Sequence, residues 1–117
     1  MVDDEDLIRD LAKRILEKAG YSVMTAACGK EALEVYARHK SDIALVILDL
    51  MMPQMGGKQC LEELLKIDPR VKALMASGFA VRGDQKTFLE NKAKGMVPKP
   101  FHMRELLRGV RHVLDGT

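Results

Sequence analysis

A chain of 117 residues, 47% apolar and 31% charged, fits one soluble domain over residues 1–117 and is long enough to bury a core without staples. A net charge of +2 does not point to nucleic acid, and the basic residues toward the C-terminal end (Lys92, Lys94, Lys99, Arg104, Arg108, Arg111) read as a solvated helix face. The absence of CxxC spacing at Cys28 and Cys60, of metal-ligand spacing among His39, His102 and His112, of an apolar run near ~20 residues and of a basic-then-apolar start excludes a zinc site, a membrane span and a signal peptide, so a cytoplasmic location is expected.

In chain order, Leu7, Ile8, Leu11, Ala12, Ile15, Leu16 and Ala19 recur with helical period, and Gly20 ends that run. Residues 21–27 read as a short strand and residues 30–39 as a second helix with Ala32, Leu33, Val35 and Tyr36 inward. Ile43 to Leu48 is an unbroken apolar run ending in Asp49, as in a strand buried on both faces of a parallel sheet. Pro53, Gly56 and Gly57 mark a loop. A third helix carries Cys60, Leu61, Leu64, Leu65 and Ile67, and a strand follows from Val71 to Ala76, closed by Ser77-Gly78. A weaker helix over about 84–93, a very short strand at Met96-Val97 and a last helix with Leu106, Leu107, Val110, Val113 and Leu114 complete the chain. Alternating strands and helices with short connections imply an α/β fold, a parallel sheet covered on both faces.

Ligands of such sheets bind at the carboxyl ends of the strands. Asp49, Ser77 and Lys99 fall there, and the acidic cluster Asp3-Asp4-Glu5 lies just before the first helix. Phosphoryl transfer needs this set: a carboxylate nucleophile, carboxylates for Mg²⁺, and a hydroxyl and an ammonium to hold phosphoryl oxygens. Each residue has a plainer use. The acidic cluster also suits a helix start, and Ser-Gly is ordinary turn chemistry. A carboxylate at the end of a buried strand, however, needs a cation or donors.

Four segments carry a resemblance: VDDED at 2–6, LVILDLMMPQMGG at 45–57, ALMASG at 73–78 and PKPF at 98–101. In this order and spacing the chain resembles a receiver domain of the bacterial two-component response regulators. The resemblance implies a flavodoxin-like, doubly wound parallel sheet of five strands in order 2-1-3-4-5. It also implies Asp49 as phosphoacceptor, Asp4 as a direct Mg²⁺ ligand and Asp3 as one through water. Met51 would complete the metal site with its backbone carbonyl, Ser77 would be the switch hydroxyl, and Lys99 the phosphate-pairing lysine before a cis bond to Pro100. The implied partner is a histidine kinase or histidine phosphotransfer protein. The domain itself is then no enzyme beyond phosphorylating itself from a donor, although the parent protein could be a hybrid histidine kinase, as the Ser77-Gly78-Phe79 turn hints.

The chain departs from the pattern in three places. Only Met1 and Val2 precede the acidic pair, where the family has a central hydrophobic strand. Four or five buried aliphatics at ~1.5–3 kcal/mol each amount to roughly 6–15 kcal/mol, comparable to a whole domain's ~5–15 kcal/mol. Either the start is truncated or misplaced, or another chain supplies the edge. A homodimer or strand-exchanged oligomer is therefore expected, or a sheet that closes up by pairing 21–27 directly with 43–48. Met96 stands where the family has an aromatic switch residue, and no output region follows Leu114. Met51 and Phe79, at positions that in the family influence attack of water on the acyl phosphate, cannot hydrogen-bond a water and imply a long-lived phosphoryl group. A competing reading is a degenerate receiver that only binds proteins. A hydrolase with an aspartyl-phosphate intermediate is disfavoured, because Leu50-Met51 supply no second carboxylate after Asp49.

Overall fold

The computed structural model describes residues 1–78 and 83–116. Its elements are α1 (Asp6–Lys18), α2 (Gly29–His39), β1 (Val46–Asp49), α3 (Gly57–Ile67), β2 (Ala73–Ser77), α4 (Gly83–Lys92), β3 (Gly95–Pro98) and α5 (Met103–Asp115). The three strands form a parallel sheet in the order β1-β2-β3, with Asp49 beside Ala76 and Ser77 beside Pro98. Successive strand residues point to opposite faces. Val46, Leu48, Ala73 and Met75 thus join Ala32 and Tyr36 of α2, Leu61 and Leu64 of α3 and Leu89 of α4 in one core layer. Ile47, Leu74 and Ala76 join Ala12 and Leu16 of α1 and Leu106, Val110 and Val113 of α5 in the other.

Helix boundaries fall close to those expected. In α1 the inward stripe is Ala12, Ile15 and Leu16. Leu7 and Leu11, also part of the apolar period, are exposed, because a 100° turn per residue carries them to the flank of that stripe. Gly20 stops α1 with a φ of 97°, a left-handed conformation that glycine adopts without a Cβ penalty, while the Tyr21 amide donates back to the Leu16 carbonyl. Gly57 opens α3 because a Cβ there would lie 2.6 Å from the Asp49 carbonyl oxygen and 2.7 Å from Leu50 Cα. Only glycine lets this helix start against the end of β1.

The sheet is the expected one with its first strand reduced to a single residue. Val2 forms parallel bridges to Ala26 on one side and Leu48 on the other. Its amide donates to the Ile47 carbonyl at 2.8 Å, and its carbonyl accepts from the Asp49 amide at 3.0 Å. This corrects two expectations. Residues 21–25 form no strand, and only Ala26 pairs. An extended segment is held by its ladder, and one neighbouring residue supplies only a rung or two. Nor do 21–27 and 43–48 close on one another, since Val2 stands between them. β1 correspondingly begins at Val46 rather than Ile43.

Candidate functional site

Three chain segments converge where β1, β2 and β3 end. Asp49 is the last residue of β1 and Ser77 the last of β2, and both are buried. Lys99 directly follows β3, its amide bonded to the Ser77 carbonyl at 3.0 Å, and its bond to Pro100 is cis. Val2, pinned on both sides by its bridges, delivers Asp3 and Asp4 to the same place.

The central contact is made by Lys99. Its ammonium lies 3.0 Å from Asp3 Oδ2, 3.3 Å from Asp49 Oδ1 and 3.6 Å from Glu5 Oε1. Asp3 is wholly buried and also accepts the Glu5 amide at 2.9 Å, which fixes its carboxylate. Asp49 accepts the Met51 amide at 3.4 Å, whereas the Met51 side chain is exposed. Burial, then the neighbouring charge of Asp3, pushes the Asp49 carboxyl up to about 6 against the opposing pull of Lys99. For Lys99, burial lowers the ammonium, but hydrogen bonding to Asp3 and the charges of Asp3 and Asp49 outweigh it and raise the group overall. One lysine thus does not neutralise the pair of buried carboxylates, and the site retains demand for positive charge.

The donor set fits a small hard cation. One oxygen each from Asp3, Asp4 and Asp49 lie within 4.8 Å of one another, Asp4 being the exposed member. Carboxylate oxygens with water access are what Mg²⁺ takes. Binding requires Asp49 ionised, so a proton bound with a pKa near 6 competes with the ion. Affinity for a divalent cation such as Mg²⁺, were one held by Asp49, would therefore fall about tenfold between pH 7 and pH 5, from the ratio of the ionised fractions. Calorimetric titration at the two pH values checks this, and equal affinity would refute the ionisation argument.

All the residues singled out in the sequence except Phe79 lie among those described. Asp3, Asp4, Asp49 and Lys99 come together, and Ser77 lies at the adjoining strand end. Met96 is half-exposed on β3. Phe79 lies outside the described residues. One positioning residue escapes sequence reasoning. Arg9 donates from Nη1 to the Asp3 carbonyl at 2.7 Å and pairs with Asp6, tying the acidic turn to α1. Its i,i+3 spacing from Asp6 is the only local signal.

The chain matches the family described as the response regulator receiver domain over residues 1–111. It is 35% identical over 115 residues to the sensor kinase CckA of Brucella abortus, covering 98% of this chain and 12% of that protein. It is 34% identical over 114 residues to the chemotaxis protein CheY of Thermotoga maritima, covering 97% of this chain and 93% of that one. Among solved structures, the CheX-CheY-BeF3-Mg²⁺ complex of Borrelia burgdorferi superposes with a TM-score of 0.87 at 31% identity, covering 96% of this chain and 84% of that chain. Among the described residues, no helix is long and apolar enough to cross a membrane.

Proposed function

This chain belongs to the response regulator receiver domain family, and from that premise we propose that residues 1–117 act as one phosphoreceiver whose acceptor is the Asp49 carboxylate. The observation that carries the reading is the Lys99 ammonium held 3.3 Å from Asp49 and 3.0 Å from Asp3, beside three carboxylates able to share one cation. The donor is a phosphohistidine of a kinase or phosphotransfer protein. An Asp49 oxygen bonds to phosphorus as the bond from phosphorus to the imidazole nitrogen breaks, and that nitrogen keeps the electron pair. Near pH 7 most of Asp49 is ionised and able to attack, since its pKa is about 6. Lys99 extends its pairing to the phosphoryl oxygens, and Ser77 offers a hydroxyl from the next strand end. Asp3, Asp4, Asp49 and the Met51 carbonyl would hold Mg²⁺, which when bound supplies positive charge where the phosphoryl oxygens gather negative charge. The Mg²⁺ and BeF3 named for the Borrelia burgdorferi complex support this reading.

The exposed Met51 side chain leaves the acyl phosphate without an orienting group for water on that side, which supports a long-lived phosphoryl group. A cytoplasmic phosphorelay is the setting that suits this chemistry. The likeness to a sensor kinase, of which the chain spans 12%, supports a hybrid kinase as one possible parent.

The test is labelling with acetyl phosphate. With Mg²⁺ the chain is expected to gain one phosphoryl mass, and with a chelator none. Asp4→Ala, at an exposed position that leaves the core untouched, should slow the gain at least about tenfold, the loss of a charge-stabilising ligand worth more than about 1.4 kcal/mol. Labelling that ignores both the chelator and Asp4→Ala would reject the site and favour a domain that only binds proteins.

A further inference from the structure

The Lys99 ammonium has a third partner that serves neither as acceptor nor as cation ligand. Glu5 Oε1 lies 3.6 Å from it, the longest of the three contacts. The Lys99 and Asp49 side chains are 13% and 3% exposed and that of Asp3 is not exposed at all, whereas that of Glu5 is 63% exposed. Glu5 thus stands at the mouth of the site, on the solvent side of the lysine. Its backbone keeps it there, because the Glu5 amide donates to Asp3 Oδ1 at 2.9 Å. Glu5 directly precedes α1 but makes no side-chain capping bond to it, so the carboxylate has no structural duty at the helix start.

Glu5 also stands outside the group of Asp3, Asp4 and Asp49, whose oxygens gather within 4.8 Å of one another. A cation shared by those three offsets their charge and leaves that of Glu5. Among the described residues, its ion-pair partner is Lys99. When Lys99 turns to an incoming phosphoryl group, the Glu5 charge is left facing that group. With the ammonium where it stands, a phosphoryl oxygen hydrogen-bonded to it would lie within about 6.5 Å of Glu5 Oε1. That is inside the ~8 Å over which charges act before physiological salt screens them.

On the phosphoreceiver reading, on which this inference rests, we propose that Glu5 is a specificity-determining residue. Its carboxylate repels phosphodonors according to their negative charge, so it disfavours free acyl phosphates and favours phosphoryl groups carried on a protonatable nitrogen, as in phosphohistidine. Acetyl phosphate carries two negative charges near pH 7. In phosphoramidate the nitrogen is protonated, and the net negative charge is one. With either donor an Asp49 oxygen bonds to phosphorus as the old bond breaks, and acetate or ammonia leaves with the electron pair. The transfer at phosphorus is alike, and the charge that passes Glu5 differs. Loss of the Glu5 charge frees Lys99 for both donors, so the ratio of their rates isolates the repulsion.

The experiment measures second-order rate constants for phosphorylation of the 117-residue chain by acetyl phosphate and by phosphoramidate, with Mg²⁺ saturating for each variant. Glu5→Gln should raise the ratio of the acetyl phosphate rate to the phosphoramidate rate about threefold, and Glu5→Lys about tenfold, with melting temperatures near that of the native chain. Glu5→Asp, which keeps the charge, should keep the native ratio. In about 0.5 M salt, where the Debye length falls to roughly 4 Å, the differences between variants should largely vanish. An unchanged ratio in Glu5→Gln, a Glu5→Asp ratio equal to that of Glu5→Gln, or a change that persists in salt would each overturn the inference while leaving the acceptor in place. A native chain labelled by neither donor would reject the phosphoreceiver reading, and this inference with it.

Discussion

Asp49→Asn is expected to abolish phosphorylation altogether while leaving a chain that is more stable at neutral pH than the native one. The two outcomes have one cause. Asp49 is buried against Asp3, and its pKa is pushed up to about 6 from the ordinary 3.8. A carboxyl whose folded pKa lies above its unfolded value stabilises the fold fully below pH 4, and that contribution is lost as the pH rises through 6. At pH 7 without a bound cation the native state therefore bears a cost on the order of 3 kcal/mol at most. Asparagine keeps the acceptor for the Met51 amide and removes the charge. Lys99 retains Asp3 at 3.0 Å as its partner. In denaturant titrations the variant should gain roughly 1–3 kcal/mol at pH 7, and the gain should shrink toward pH 4. Mass spectrometry after acetyl phosphate and Mg²⁺ should show no added phosphoryl group. Labelling equal to the native chain would remove Asp49 from the chemistry. Lower stability at pH 7 would show that the Lys99 pairing outweighs burial.

Asp49 is legible in the sequence because its signal is local. An apolar run that ends in a carboxylate is unusual enough to demand a partner, and Lys99 between prolines is aimed by its neighbours. What the sequence does not carry is which groups meet. Lys99 pairs at closest range with Asp3, 96 positions away, and Arg9 holds the Asp3 carbonyl across a turn. Those contacts depend on where Val2 is pinned, which is set by Ala26 and Leu48 together. The strand limits fail for a related reason. Residues 21–25 and Ile43 to Leu45 have the composition of strands, but a strand exists only with something to pair with, and these residues line a cavity of about 610 Å³. The helices depend less on distant partners, because their hydrogen bonds close within four residues, and α2, α3 and α5 start and stop close to where the apolar periodicity places them. The single-residue strand was visible as a shortage of aliphatics before Asp3; how the remaining chain accommodates it was not.

Filling the cavity between residues 21–26 and 43–47 with four added residues is expected to produce the largest change in stability of the 117-residue chain. Four alternating valines and isoleucines placed ahead of Met1 would continue the ladder that Val2 begins, opposite residues 21–24 on one side and 43–46 on the other. Burying four such side chains contributes roughly 6–12 kcal/mol at ~1.5–3 kcal/mol each. Ordering four residues costs about 6 kcal/mol at ~1.5 kcal/mol per residue. The new strand also turns the Met1 ammonium, depressed to about 6 by burial, into a neutral amide suited to the same rung, and pairs amides that now have no backbone partner among the described residues. The burial and ordering contributions leave roughly 0–6 kcal/mol, and a few new ladder hydrogen bonds at ~1 kcal/mol each bring the expected gain to about 3–9 kcal/mol, or a rise in melting temperature of roughly 10–30 °C for a domain of this size. Any self-association driven by the open edges should disappear at the same time, so the extended chain should sediment as a monomer. The order of the additions matters: a glycine-serine stretch of equal length offers the same backbone without the side chains and should recover only a small part of the gain. An extended chain that melts where the original does, or glycine-serine that stabilises as much as valine and isoleucine, would show that the cavity is not a vacant strand position.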